Sequence, residues 1–268
     1  MDERMNPSIG VANSVSANFD FDPLDTIKYV AQEGFETVQI YLSKELLDNQ
    51  KVLKKIQNQL AQFKRVYFHA EGFFNKEFPM GEYYTSLVHF LQDINHANYI
   101  LHFDEKINIE KLFDLTGKLT SSGIKIFVEN YFQKSKKENA EKNIKKFTAL
   151  FTLANTIENV IFPVLDIPRL FHKKLGFKKA DALRWCYQLF NFFGNKNIPI
   201  LLHLIDCKDS TQSRHSYRAI GEGYIPYAEI FDFVKKTKPP ISDIILEFED
   251  KINPVVSRSF IQQRLLEE

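Results

Sequence analysis

The stretch VIFPVLD, residues 160–166, is a short apolar run that ends in a carboxylate and leads into a helical stretch. IKIFVE at residues 124–129 and IPILLH at residues 198–203 repeat this pattern. Nearly continuous apolar runs are typical of strands that are buried on both faces, as in a parallel sheet. Five further runs, rich in Ile, Val, Phe and Tyr, complete the series: Ser8–Ala12, Thr37–Leu42, 66–69, 99–102 and 244–247.

Amphipathic stretches separate these runs, so the chain alternates eight strands with eight helical stretches. This count predicts an α/β protein with a single (β/α)8 TIM barrel over residues 1–268, and a terminal helix at about 255–268 on its outer wall. A doubly wound open sheet would give a similar count. The ends of the runs favour the barrel, because six of them carry a residue suited to metal binding or proton transfer: His69, His102, Glu129, Asp166, His203 and Glu247. In a barrel, the carboxyl ends of all strands meet at one mouth.

The composition excludes several classes of protein. The chain has 268 residues with 35 Lys and Arg against 34 Asp and Glu, so its net charge of +1 does not suit a dedicated nucleic-acid coat. No apolar run approaches the roughly 20 residues of a membrane helix. Two cysteines, Cys186 and Cys207, do not make a disulfide framework. We therefore expect a cytoplasmic protein with no membrane partner, as a monomer or a homo-oligomer.

Four of the six strand-end residues form a mixed oxygen and nitrogen ligand set: Glu129, Asp166, His203 and Glu247. Such a set suits Mn²⁺, Mg²⁺, Co²⁺ or Zn²⁺. Each of the four is one βα unit away from the next, which predicts that they meet around one cation. His69 and His102 are predicted to flank Glu129 and offer ligands for a second metal. Taken singly, each of these residues would also fit a hydrogen-bonded core position or a surface position.

Further polar residues follow the strand ends. Asp206 is predicted to accept a hydrogen bond from the His203 ring, because a metal-bound imidazole usually donates its other N–H. Arg169, Lys208, Arg214 and Arg218 are candidate substrate-binding residues that would suit a phosphate or a sugar hydroxyl. The alternative for the loop that carries Arg214 and Arg218 is an ordinary solvated loop.

In these features the chain resembles the xylose isomerase-like TIM-barrel superfamily, which includes sugar phosphate isomerases and epimerases and the endonuclease IV-type AP endonucleases. The residues that carry the resemblance are Ile9-Gly10, Phe68-His69-Ala70, Val128-Glu129-Asn130, Leu165-Asp166, HLIDCK at 203–208, IGEGYI at 220–225 and Leu246-Glu247. The resemblance covers nearly the whole chain. It implies that Glu129, Asp166, His203 and Glu247 are the shared metal ligands.

The isomerase and epimerase branch implies one divalent metal, a metal-stabilised enediolate, and a sugar or sugar phosphate substrate. Glu129 and Glu247 would then act as the acid and base that shuttle the proton. This is the function that we expect from the sequence.

The endonuclease IV branch is the first alternative. It implies a phosphodiesterase that acts on DNA with two or more zinc ions, with His69 and His102 as additional ligands. The chain departs from that branch at Arg169, where the branch has a His, and at HSY, residues 215–217, where it has an Asp-x-His pair. A barrel that has lost catalysis and binds a ligand or partner is the second alternative.

Overall fold

The computed structural model is a closed barrel of eight parallel strands in the order of the chain, which confirms the predicted (β/α)8 architecture. It describes residues 7–73, 81–94, 98–103, 107, 109–120, 123–131, 137–156, 161–213 and 216–267. We number the barrel strands β1 Ser8–Ala12, β2 Thr37–Leu42, β3 Arg65–Phe73, β4 Asn98–Phe103, β5 Lys125–Asn130, β6 Ile161–Asp166, β7 Ile200–Leu204 and β8 Ile241–Leu246.

Helices connect successive strands. Within the described residues the α-helices are α1 Pro23–Gln32, α2 Lys44–Asp48, α3 Gln50–Leu60, α4 Gly81–Gln92, α5 Ile109–Thr120, α6 Lys137–Thr156, α7 Ile167–Phe171, α8 Lys179–Asn195, α9 Tyr227–Thr237 and α10 Asn253–Ile261. A π turn, Gln262–Leu266, extends α10 within the stretch for which the sequence predicts a terminal helix. None of the helices in the described part of the chain is long and apolar enough to cross a bilayer.

The strand bounds differ slightly from those predicted. The third strand is longer than residues 66–69, and the eighth begins at Ile241 and ends at Leu246, one residue before Glu247. The Glu247 N–H still donates to the Leu204 carbonyl at 3.1 Å, so Glu247 continues the pairing of β8 with β7. Its position at the barrel rim is therefore defined by the backbone.

Side chains alternate between two hydrophobic cores. One core lies between the sheet and the helices, and the other fills the barrel lumen. The lumen core consists of Ala12, Tyr67, Ile100, Phe127, Val164, Leu201 and Ile245. Because side chains repeat their direction every second residue along a strand, the residue two positions later also points into the lumen, one layer nearer the mouth.

A polar network closes the opposite end of the barrel. The carboxylate of Asp243 is fully buried and accepts hydrogen bonds from the Ser8 N–H at 3.0 Å and the Tyr67 hydroxyl at 2.6 Å. The Ser8 hydroxyl also donates to this carboxylate at 2.6 Å, Arg65 forms an ion pair with it, and the hydroxyls of Ser8 and Thr37 lie 2.6 Å apart. The buried charge is thus paired and hydrogen-bonded by the first residues of β1 and β3, which ties the ends of three strands together.

We expect Asp243→Ala to lower the free energy of unfolding by about 3–5 kcal/mol, because it leaves Arg65 and three polar groups without their shared partner. Urea denaturation followed by circular dichroism measures this change. Asp232→Ala is the matched control: its exposed ion pair with Arg264 predicts a change of less than about 1 kcal/mol. Equal effects of the two substitutions would contradict the role given to Asp243.

Candidate metal centre

The alternation of the strands brings the six predicted residues to the mouth. His69, His102, Glu129, Asp166, His203 and Glu247 each follow a lumen-core residue by two positions. All six therefore point inward in the layer above that core. Glu129 lies at the centre of the resulting cluster.

Glu129 is almost completely buried, with 1% of its surface exposed. Its Oε2 atom lies 3.0 Å from His69 Nε2, 3.4 Å from His203 Nδ1 and 3.7 Å from His102 Nε2. Burial alone would raise the pKa of Glu129, but the positive charge of His102 and the contacts with His203 and His69 hold it well below its usual range. Glu129 is therefore an anion surrounded by three imidazoles.

His203 is fully buried, and neither of its ring nitrogens has a hydrogen-bond partner among the residues that the structure describes. Its Nδ1 atom lies 3.1 Å from Glu247 Oε1 and 3.4 Å from Glu129 Oε2, without the geometry of a hydrogen bond. Burial would lower the pKa of His203, but the charges of Glu247 and Glu129 raise it to about 9. A buried imidazole that lacks hydrogen bonds beside two carboxylates is an arrangement that a metal ion would satisfy.

The contacts of His69 also indicate a position for a cation. Its Nδ1 atom lies 3.1 Å from the Ala70 carbonyl, and its Nε2 atom lies 3.0 Å from Glu129 Oε2. Both neighbours are hydrogen-bond acceptors when Glu129 is ionised. A bound metal ion would take the place of the proton between Nε2 and Glu129.

The spacing of the donor atoms fits a metal. Two ligands bound at 2.0–2.2 Å with tetrahedral or octahedral angles lie roughly 2.9–3.5 Å apart. The pairs His69–Glu129, His203–Glu129 and His203–Glu247 have separations of 3.0, 3.4 and 3.1 Å. Within the described ranges, the group of three whose ligand atoms all lie within 4.8 Å of one another is His69, His102 and Glu129.

Asp166 has a partner that the predicted four-ligand centre did not include. Its Oδ2 accepts a hydrogen bond from Arg169 Nε at 2.8 Å, and its Oδ1 accepts one from the Arg169 backbone N–H at 3.1 Å. Burial raises the pKa of Asp166 to about 8, against the opposing charge of Arg169. The structure thus places His203 in contact with both Glu129 and Glu247, whereas the Asp166 carboxylate is held by Arg169.

Asp206 differs from its predicted role as the partner of the His203 ring. Its carboxylate accepts four backbone N–H groups, from Cys207, Gly221, Gly223 and Ile225, at 2.9–3.2 Å. A Cβ atom at Gly223 would lie 2.2 Å from Asp206 Oδ1, so only glycine allows this close approach. Asp206 therefore fixes the turn that leads into α9, and the two nitrogens of His203 are left to other partners.

The remaining predicted residues are dispersed. Lys208 and Arg218 have exposed side chains on a short hairpin after β7, formed by Asp206–Cys207 and Tyr217–Arg218. Arg214 lies outside the described residues. Arg169 is the predicted substrate-binding residue that joins the cluster, since its Nε atom also lies 3.9 Å from Glu129 Oε1.

Two residues that are not among the predicted site residues also contribute to the cluster. Gln39 on β2 donates from Nε2 to Glu247 Oε1 at 2.9 Å, and its own Oε1 is buried without a partner in the described part of the chain. Tyr131 stacks under Arg169, with the guanidinium carbon 3.7 Å from the ring centre. Gln39 could have been found as the polar residue inside the apolar run of β2, and Tyr131 as an aromatic residue that directly follows β5.

Neither a scan of protein-family models nor a search of curated proteins gives a match to this sequence. Solved structures do match it over nearly the full length of both chains. D-allulose 3-epimerase from Methylomonas sp. has 13% identity and a TM-score of 0.61, covering 97% of this chain and 99% of that one. The IOLI protein with a bound zinc atom has 15% identity and a TM-score of 0.64, covering 97% and 100%.

A xylose isomerase-like TIM barrel protein from Mycobacterium smegmatis, in complex with magnesium, has 11% identity and a TM-score of 0.62, with 99% of each chain covered. The chain has the fold of the xylose isomerase-like TIM barrels. The resemblance drawn from the sequence is thereby confirmed for the fold. At these sequence identities the similarity shows the fold alone, because one fold supports many different activities.

We expect Asp206→Ala to lower the free energy of unfolding by about 2 kcal/mol or more, since four backbone N–H groups lose a charged acceptor. The affinity for Mn²⁺, measured by isothermal titration calorimetry, should stay within about threefold, because Asp206 does not touch His203. Asp209→Ala, on the exposed loop nearby, is the control for the stability change. A large loss of metal affinity in Asp206→Ala would contradict this interpretation and support the predicted role of Asp206 in orienting the His203 ring.

Proposed function

We propose that this protein is a divalent-metal-dependent isomerase or epimerase of a sugar or sugar phosphate, with its active site at the carboxyl ends of the barrel strands. The observation that carries the proposal is the pair of carboxylates, Glu129 and Glu247, within 3.4 Å of Nδ1 of the buried His203 ring, whose nitrogens have no hydrogen-bond partner among the described residues. The epimerase among the solved structures of this fold supports the same class of reaction.

The charge of the site supports one dication. Arg169 pairs with Asp166, and His203 would bind a metal as a neutral imidazole, so Glu129 and Glu247 would contribute two uncompensated negative charges. These two charges match a single Mn²⁺, Mg²⁺, Co²⁺ or Zn²⁺ ion, and burial makes such a balance important. Glu129, His203 and Glu247 would hold this ion, with His69 and His102 on the far side of Glu129. The bound ion would supply Lewis-acid polarisation of a substrate carbonyl or hydroxyl.

Glu247 is the better placed of the two carboxylates for proton transfer. Its side chain is 26% exposed, and its Oε1 is held by Gln39, whereas Oε2 has no partner among the described residues. Oε2 can therefore take a proton from a substrate carbon and return it to the same or the neighbouring carbon. Glu129 is buried against three imidazoles, which makes it a ligand in this proposal, although the sequence suggested it as a second acid or base.

A two-metal phosphodiesterase is the second candidate. The close grouping of His69, His102 and Glu129 favours it, because these residues offer a second set of metal ligands bridged by Glu129. A second dication would leave the site with excess positive charge, which bound hydroxide and a phosphodiester could balance. DNA would be the partner in that case.

Metal analysis of the purified protein separates these readings. We expect one dication per chain, and at least about a 100-fold loss of affinity in Glu129→Gln, because that substitution removes the charged ligand at the centre of the cluster. Glu36→Gln, at an exposed carboxylate, is the matched control and should bind like the wild type. Two or more zinc ions with cleavage of abasic DNA would support the phosphodiesterase instead. No bound metal under metal-replete conditions would indicate a binding protein and overturn the proposal.

The role of Glu247 is tested by proton exchange. With saturating Mn²⁺ in D₂O, we expect the wild type to incorporate solvent deuterium at a carbon of at least one member of a panel of pentoses, hexoses and their phosphates. Glu247→Gln should slow this exchange by about 100-fold or more, because the amide cannot accept the proton. Full exchange in a metal-loaded Glu247→Gln protein would remove Glu247 from the mechanism.

A further inference from the structure

Arg169 is held rigidly at the mouth of the barrel. Its Nε donates to Asp166 Oδ2 at 2.8 Å, and its guanidinium plane lies over the Tyr131 ring, 3.7 Å from the centre. Asp166 also caps the N-terminus of α7 through the Arg169 backbone N–H. Two contacts therefore fix a side chain that ordinarily has many rotamers, and the cap fixes the carboxylate that holds it.

The outer end of Arg169 is open. The side chain is 38% exposed, and its two terminal NH₂ groups have no hydrogen-bond partner in the ranges that the structure describes. Four N–H donors of the planar guanidinium are thus available to a ligand. Such a planar group matches the oxygens of a carboxylate or phosphate group, and preorganisation reduces the entropy lost on binding.

A metal ion bound nearby would strengthen this anion site. Without a metal ion, the carboxyl groups of Asp166 and Glu129 lie 2.8 and 3.9 Å from Arg169 Nε and oppose the approach of an anion. A dication bound to Glu129 would add positive charge beside Arg169, and the guanidinium would then attract an oxyanion more strongly. Metal and anion should therefore bind with positive coupling.

We propose that Asp166 and Arg169 form an oxyanion clamp, in which Asp166 holds Arg169 rather than the metal and Arg169 binds an acidic group of the substrate. This inference rests on the proposed function and narrows it. The substrate is a sugar phosphate or a sugar acid, and a neutral sugar lacks the group that the clamp binds. Arg169 is then a specificity-determining residue, and Tyr131 is a positioning residue that acts through it.

The test measures binding by isothermal titration calorimetry in the wild type, Arg169→Gln, Asp166→Asn and Arg184→Gln. Arg184 is an exposed arginine paired with Glu141 and Asp181 on the outside of the barrel, and serves as the matched control. Micromolar Mn²⁺ is titrated first. Inorganic phosphate and gluconate are then titrated into the Mn²⁺-loaded and the metal-free proteins, which distinguishes a phosphate clamp from a carboxylate clamp.

In the wild type we expect Mn²⁺ to strengthen the binding of at least one of the two anions. Arg169→Gln should lower the affinity for that anion by about tenfold or more. The same substitution should raise the affinity for Mn²⁺ several-fold, because a competing positive charge is gone. General damage to the fold would weaken both ligands, so opposite changes identify the clamp. Asp166→Asn should keep its Mn²⁺ affinity within about tenfold of the wild type.

Equal anion affinity in the wild type and Arg169→Gln, or no anion binding to the Mn²⁺-loaded wild type, would overturn the clamp while leaving the metal-dependent function standing. A different outcome is that Asp166→Asn loses Mn²⁺ binding as completely as Glu129→Gln does. That result would show that Asp166 is a metal ligand and would overturn its assignment as the partner of Arg169. Failure of the wild type to bind Mn²⁺ would overturn the proposed function, and the clamp with it.

Discussion

Closure of the barrel forces every second side chain of eight strands into one narrow lumen, and the rest of the molecule follows from this constraint. Three layers share the lumen: a polar network around Asp243 at the amino ends of the strands, an apolar layer that includes Phe127 and Leu201, and the polar cluster around Glu129 at the mouth. The apolar layer therefore separates the polar network at the amino ends of the strands from the polar cluster at the mouth.

The buried charge of Glu129 is the central electrostatic feature of the mouth. A carboxylate removed from water needs compensating positive charge or hydrogen bonds, and three imidazoles together with Arg169 surround it. The incomplete hydrogen bonding of His203 leaves room in this balance for a cation. Arg169 supplies a permanent positive charge beside Asp166. The protein itself therefore provides positive charge that a second metal ion would provide in a multi-metal site.

Some of this site could be predicted from the sequence, and some could not. The strand-end positions of His69, Glu129 and His203 were visible because an apolar run and its terminal polar residue are adjacent in the chain. The partner of Asp206 was predicted wrongly, since proximity in sequence to His203 suggested a contact, whereas its carboxylate turns towards backbone N–H groups 15 to 19 residues later. The reach of Gln39 to Glu247, across β1 and more than 200 residues, depends on the closure of the barrel.

The sequence by itself determined the (β/α)8 architecture and the six residues that face its mouth, because hydrophobic periodicity and the alternation of side chains are local properties. Only the tertiary structure decided how those residues are paired. Whether Asp166 meets a cation or the Arg169 guanidinium depends on a side-chain rotamer, on the stacking of Tyr131, and on the charges that neighbouring strands bring within a few ångströms. Charged groups pair according to their distance in space, and the spacing of residues along the chain does not give that distance.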